Sequence, residues 1–408
     1  MNLFSHWRNR LAQHPEAGAF VGFLAIFAFF SIAVPTTFLS NNSFSSILTS
    51  QAVPGIVAIG VTLLMISGEF DLSIGSIMGV ASLAFLAAAV NGVHILGAAA
   101  LGLLTGCGLG LINGLLLVWT RIPSFIITLG TMLVFRAIAL TAISGGRIIR
   151  YADYSRTDPT LTLSPLLLLA GALALGALTL WMSHHSIVAN LRSFRNRPAL
   201  RSGFVLLALT GLNLLILYLV FALVQQLGQR LFEPLEISFF HLLNGRLPAD
   251  LVGGNYRLSI IWWALLAILF SLLLTQTSYG NAIFATGGNS MAARAQGIKT
   301  DRIRVLNFVL AGGLAALAGI IQVARLKSVD PLRGQGLELE VIAAAVIGGT
   351  LLSGGYGSIL GTLIGTTLMG MLRTGLVLLS VPANAFRGAI GAILIAAVVI
   401  NALFRRQK

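Results

Sequence analysis

The groups in this sequence that could do chemistry are few, and they stand at the edges of long apolar runs. Glu69 and Asp71 lie in Gly68-Glu69-Phe70-Asp71-Leu72-Ser73, between two such runs. A carboxylate buried in hydrocarbon costs on the order of 3 kcal/mol, so this pair should face water or a partner. Asp71 is placed either to cap the helix that follows and complement its dipole, or to form a hinge or ion pair used in gating. Glu338 and Glu340 end a stretch of mixed charge that starts at Val323 and holds Pro331, Gly334 and Gly336. That stretch reads either as a docking loop or as an ordinary solvated one.

The most informative polar segment runs from Tyr279 to Arg304. Gly287-Gly288 punctuates it, Asn289 is a good N-cap, and Ser290–Gln296 reads as a short helix closed by Gly297 just past its C-terminus. Ala292 and Ala293 give this helix a low profile, so another protein could approach closely. A two-turn helix is marginal alone and needs a partner surface.

Catalytic chemistry has little to work with. No G-x-x-x-x-G-K-[ST] occurs, and Gly297-Ile298-Lys299-Thr300 lacks its spacing, so the sequence offers no P-loop for ATP. There is no H-E-x-x-H and no Cys/His cluster, and His184-His185 sit at a run boundary beside Arg-rich sequence. The single cysteine, Cys107, lies inside an apolar run and reads as a small core residue. We therefore assign no catalytic residue, cofactor or metal ligand.

These groups must be positioned by membrane helices. Of 408 residues, 57% are hydrophobic and 9% charged, and the mean hydropathy is +0.92. A soluble domain carries about 25% charged residues to wet its surface. The expected fold is all-α, a polytopic helix bundle of about 10–12 transmembrane segments, since a bilayer core takes roughly 20 apolar residues. Candidates span 18–34, 46–67, 73–91, 94–118, 124–144, 162–182, 203–224, 258–275, 304–324, 339–352, 358–377 and 386–404; the tenth is short and Gly-interrupted, as a half-helix or re-entrant segment would be. Residues 1–17 read as a cytoplasmic tail, 18–404 as one transmembrane domain with an extracytoplasmic loop at 225–257 and a cytoplasmic loop at 279–303, and 405–408 as a second tail.

The net charge of +14 would suggest nucleic acid in a soluble protein, but no basic stripe interleaved with aromatics exists here. With both termini inside, the cytoplasmic loops hold fourteen Lys and Arg against four acids, and the outer loops nine against eight. That asymmetry follows the positive-inside rule. Glycines four apart (Gly102, Gly106, Gly110, Gly114; Gly357, Gly361, Gly365) put smooth faces on two helices, for static packing or for a gate or dimer interface. Gly75-Ser76-Ile77-Met78-Gly79 is faintly echoed by Gly357-Ser358-Ile359-Leu360-Gly361, a hint of internal duplication.

Four ordered stretches go further: G-E-F-D-L-S-I-G-S-I-M-G (68–79), R-I-P-S-F-I-I-T-L-G-T-M-L-V-F-R (121–136), G-G-N-S-M-A-A-R-A-Q-G-I (287–298) and G-L-E-L-E-V-I-A-A-A-V-I-G-G-T-L-L-S-G-G-Y-G-S (336–358). In them the chain resembles the ribose- and xylose-type sugar permeases of bacterial ATP-binding-cassette importers, and its length and extra central helices are nearer the xylose type. The resemblance implies a type II importer permease in the inner membrane, working as a homodimer with a cytoplasmic ATPase subunit that holds the ATP and a periplasmic sugar-binding protein. It implies that Gly288, Asn289, Ala292, Ala293, Arg294 and Gly297 belong to the coupling helix in the ATPase cleft, leaving Glu69, Asp71, Glu338 and Glu340 as boundary or gating candidates. The stretch 225–257 departs from the family pattern; its Phe and Leu content suggests an amphipathic element on the outer face. Competing classes are a permease for ribose, an autoinducer-like sugar or a nucleoside, a stand-alone secondary transporter, and a membrane-embedded enzyme.

Overall fold

The computed structural model describes residues 15–143, 147–163, 235–248 and 252–382, with a few isolated positions beyond them. Besides two short helices, Pro35–Phe38 and Phe239–Asn244, its helices are α1 (Pro15–Ala33), α2 (Asn41–Ile66), α3 (Ile74–Val90), α4 (Ile95–Thr120), α5 (Ser124–Ala142), α6 (Leu258–Gln276), α7 (Ser278–Gly288), α8 (Ser290–Ala295), α9 (Thr300–Leu326), α10 (Leu337–Ile347) and α11 (Ile359–Leu378). Among the described residues six of these, α2, α4, α5, α6, α9 and α11, are long and apolar enough to cross a bilayer. The all-α membrane bundle expected from composition is therefore what forms. Strands are minimal: β1 (Ile149–Arg150) pairs antiparallel with β4 (Ser328–Val329), and β2 (Thr160–Leu163) with β3 (Leu235–Ser238).

Two units partition the chain, one of residues 1–157 and 240–408 and one of residues 158–239. In the smaller, the described part is chiefly the antiparallel β2–β3 pair, from register pairs Thr160–Ser238 to Leu163–Leu235. The segment expected from 162 thus begins as strand; its remainder, the runs 203–224 and 386–404, residues 225–234 and 249–251 of the 225–257 loop, and His184-His185 lie outside the described residues, a few isolated positions aside.

In the larger unit α2 is the central post, with Ile56, Ile59, Leu63, Leu64, Met65 and Ile66 almost wholly buried. Helix α9 packs along both α2 and α4, and the latter contact is where the glycine row works. A Cβ at Gly106 would lie 2.5 Å from the Gly312 carbonyl oxygen, and one at Gly110 would run into that of Phe308. The backbones touch, and static packing within one chain accounts for this face. Gly361 and Gly365 are likewise pressed against the carbonyls of Gly348 and Ala344. A buried 2.7 Å hydrogen bond joins Thr62 to Thr362, tying α2 to α11. Helix α1 closes one side through Phe30, which with Phe38 packs on Ile47, Leu368, Met369 and Leu372.

Two features are not continuous spans. Helix α10 has eleven residues, about 16 Å at 1.5 Å per residue, half a bilayer core. It starts at Gly336 and is stopped by Gly348-Gly349, both Gly336 and Gly349 having positive φ. Between α2 and α3 residues 67–73 leave the helix, turning at Gly68 (φ +87°). The pentapeptide echo does not mark equivalent positions, because Ser358 is the N-cap of α11 whereas Ser76 lies inside α3.

Candidate functional site

The site is the α7–α8 corner and the helix break on which it sits. Thr277 caps α7 through Gly280 N–H, and Asn289 caps α8, its side chain accepting from Ala292 N–H at 3.0 Å. Gln296 ends α8, and Gly297, at φ +83°, reverses the chain into α9. This left-handed position favours glycine, since a Cβ there costs about 1–2 kcal/mol. The cap, the short helix and the glycine stop stand where the sequence places them.

Orientation on α8 differs from the expectation. Ala293 is buried against the chain itself at 5% exposure, and its carbonyl accepts from Ile298 N–H. The outward face carries Ala292, Ala295 and above all Met291, 81% exposed. An apolar side chain so exposed, on a short helix whose apolar neighbours are only alanines, is a knob without a socket. Composition alone did not single it out, because a helix of six residues has too little periodicity to orient.

Beneath the corner lies a seat made of glycine. Gly287 packs on the Ile66 carbonyl at the end of α2, and Gly355 N–H donates to that same oxygen at 2.8 Å. A Cβ at Gly355 would stand 2.6 Å from Gly288 Cα, and one at Gly354 2.8 Å from Gly68 Cα. Three chain turns, at 68, 287–288 and 354–355, therefore meet backbone to backbone. A second tie runs from the Tyr279 hydroxyl to Asn307 Oδ1 at 2.8 Å, and from Asn307 to the Leu63 carbonyl at 3.3 Å.

Charge carries the corner onward. Arg294 donates to the Thr300 hydroxyl at 2.6 Å and to Asp301 at 2.5 Å. Asp301 lies 3.8 Å from Arg304, whose Nε stands 2.9 Å from Glu69 Oε1. That last contact is an ion pair without hydrogen-bond alignment. The ladder borders a cleft of about 280 Å³ whose far wall is Leu117, Val118, Arg121, Ile122 and Pro123.

Neither acid of the break faces water; each faces a partner, the second of the two placements expected. Glu69 is 7% exposed and Asp71 wholly buried. Both are tolerated because they are partnered: Glu69 by Arg304, and Asp71 by the amide of Ser73 at 2.8 Å, its hydroxyl at 2.6 Å and Asn113 at 3.5 Å. Burial pushes the Glu69 carboxyl up, and the Arg304 guanidinium and Ser124 hydroxyl pull it part of the way back. Asp71 does not cap α3 directly; Ser73 is the N-cap, and Asp71 fixes that residue.

The freed amides of the break are satisfied by α5. Phe70 N–H donates to the Ser124 hydroxyl at 3.0 Å and Leu72 N–H to that of Thr128 at 3.1 Å. One turn on, the Ser76 hydroxyl donates to the Met132 carbonyl at 3.1 Å. Glu338 and Glu340 stand elsewhere, in the first turn of α10. Glu338 accepts from Gly336 N–H at 3.2 Å, and Glu340 pairs with Arg373 of α11 at 3.0 Å. The turn before them is not a free loop, because Gly334 packs against Gly75 and Pro331 against Gly79. Among the described residues no group of three or more His, Cys, Asp and Glu could hold a metal ion.

Apolar spans around a broken helix, with a close-packed corner at one end and an ion ladder beneath it, define a multi-pass membrane protein. Comparison with known proteins gives the family: the branched-chain amino acid transport system / permease component model matches residues 43–398, and the chain belongs to that family. It is similar to the xylose transport system permease protein XylH of Haemophilus influenzae, 32% identical over 369 residues and 89% of each chain. XylH of Escherichia coli K12 is 31% identical over 388 residues, 94% of this chain and 91% of that protein. The ribose import permease protein RbsC of Escherichia coli K12 is 29% identical over 368 residues, 90% and 87% of the two chains. The four sequence motifs had pointed to this family of importer permeases. No solved structure matches the chain.

Proposed function

We propose that the chain is the membrane-spanning subunit of an ATP-binding-cassette importer that carries a pentose, xylose first among them, across the inner membrane. The reading on xylose rests on the two XylH relatives at 32% and 31% identity; ribose and autoinducer-like sugars are its runners-up, through relatives at 29% and 27%. Two copies would form the pathway, with both termini in the cytoplasm, two copies of a separate ATPase below and a periplasmic sugar-binding protein above.

The observation that carries the mechanism is the exposed Met291 on a corner bonded backbone to backbone to the α2–α3 break. In this reading α8 enters the cleft of the ATPase, with Met291, Ala292 and Ala295 against it. When the ATPase closes on ATP, the corner moves as one body, because Gly287 and Gly288 have no slack against residues 354 and 355. The Arg294–Asp301–Arg304–Glu69 ladder passes the movement to the break, and Ser124 and Thr128 pass it to α5. This chain supplies path and lever, and ATP is hydrolysed on the partner.

The test is reconstitution in vesicles with the P-loop ATPase and binding protein of the same transport locus. Xylose uptake should require ATP, and Met291→Glu should release the ATPase while the chain stays inserted. Uptake without an ATPase, or labelling of Ser290–Gln296 from the outer face, would refute the proposal.

A further inference from the structure

Arg136 belongs to none of the machinery above. It stands twelve residues into the nineteen-residue apolar helix α5, about 18 Å from its first residue and about 9 Å from its last at 1.5 Å per residue. It is half-buried, and among the described residues no hydrogen bond or ion pair reaches its guanidinium. Facing lipid at that depth, an arginine costs about 3 kcal/mol. Escape to the nearer helix end runs against the side chain's own direction, since Cβ atoms tilt toward the helix N-terminus.

Its place in a row shows what it faces. Ser124, Thr128, Met132 and Arg136 are spaced four apart, and such a row winds slowly round a helix. The first three are hooked to the break and to α3, by Phe70 N–H, Leu72 N–H and the Ser76 hydroxyl. Arg136 is the fourth step, where the row turns off the α3 seam toward the open face that bears Phe125, Leu129 and Leu133. An unpaired cation at such an edge requires water or a polar solute beside it.

We propose that Arg136 lines the solute path and that its guanidinium donates hydrogen bonds to the hydroxyls of the passing solute, a small neutral sugar. The sugar rests on the function proposed above; the path assignment does not. Five donors in a planar fork suit adjacent hydroxyls. A neutral partner forms no full ion pair, so release stays easy. Because its row hangs from the break, Arg136 moves whenever the α7–α8 corner does.

The experiment places Arg136→Cys in a Cys107→Ala chain within the assembled importer and applies a charged, membrane-impermeant methanethiosulfonate. Modification slowed by xylose is expected. In parallel, Arg136→Ala should raise the half-saturating xylose concentration about tenfold, the equivalent of one or two hydrogen bonds, with insertion unchanged. Arg136→Lys, which keeps the charge and three donors but not the planar fork, should retain part of the uptake. An unreactive cysteine while Arg136→Lys still transports would overturn the proposal, as would an unchanged half-saturation in Arg136→Ala. Reaction in a chain that moves no xylose would reject the sugar and retain the path residue.

Discussion

Removing Arg304 tests the ladder where burial makes it matter most. Its Nε stands 2.9 Å from a carboxylate whose side chain is 9% exposed, while Arg304 itself is 23% exposed. Charges about 4 Å apart at an effective dielectric of about 20 attract by about 4 kcal/mol. Solvent at Arg304 screens part of this, leaving a coupling of about 2–3 kcal/mol. Arg304→Met keeps the stem and strands Glu69, so it should destabilise by about that amount, a fall in Tm of about 5 °C at roughly 2 °C per kcal/mol for a chain of this size. Glu69→Gln should cost under about 1 kcal/mol, because desolvation already opposes the carboxylate. The double variant should recover most of the loss. A raised carboxyl keeps its stability contribution below the ordinary 4.5 and loses it as pH climbs through the raised value. The deficit of Arg304→Met should therefore shrink as pH falls toward 4.5. Thermal melts of the purified chain, followed by tryptophan emission across the four proteins, measure the cycle. Additive single effects, or a deficit that grows on acidification, would refute the reasoning.

Other perturbations separate packing from coupling. Gly110→Ala drives a methyl into the Phe308 carbonyl and should cost about 1–3 kcal/mol, whereas Gly108→Ala, with nothing near its Cβ, should be neutral or stabilising in the same melts. Thr128→Val strands the Leu72 amide and should cost about 1–3 kcal/mol, and hydrogen exchange at residues 67–73 should rise. On α8, Met291→Glu should abolish co-purification of the ATPase without changing the melt, whereas Ala293→Trp should lower Tm as well, because Ala293 points inward. Gly297→Leu should abolish uptake and ATPase association with insertion intact, through strain at φ +83°.

The sequence by itself determined the class of fold, since 9% charge leaves too little polar surface for water. Local rules also sufficed for Asn289 as cap and Gly297 as stop, because both are decided within four residues. The half-length of α10 was legible in its glycines. Tertiary structure decided whatever depends on which surfaces meet. Glu69 and Asp71 are buried because Arg304 and Asn113 arrive from segments about 40 residues and more away in sequence. Ala293 is hidden and Met291 exposed because the corner is seated on Gly354-Gly355, and no periodicity within six residues could reveal that. The stretch 121–136, which holds the row from Ser124 to Arg136, was visible as a motif, but the row itself was not. Its first three members became hooks only because a helix broke at Gly68 and its freed amides, deep among apolar helices, had to find acceptors.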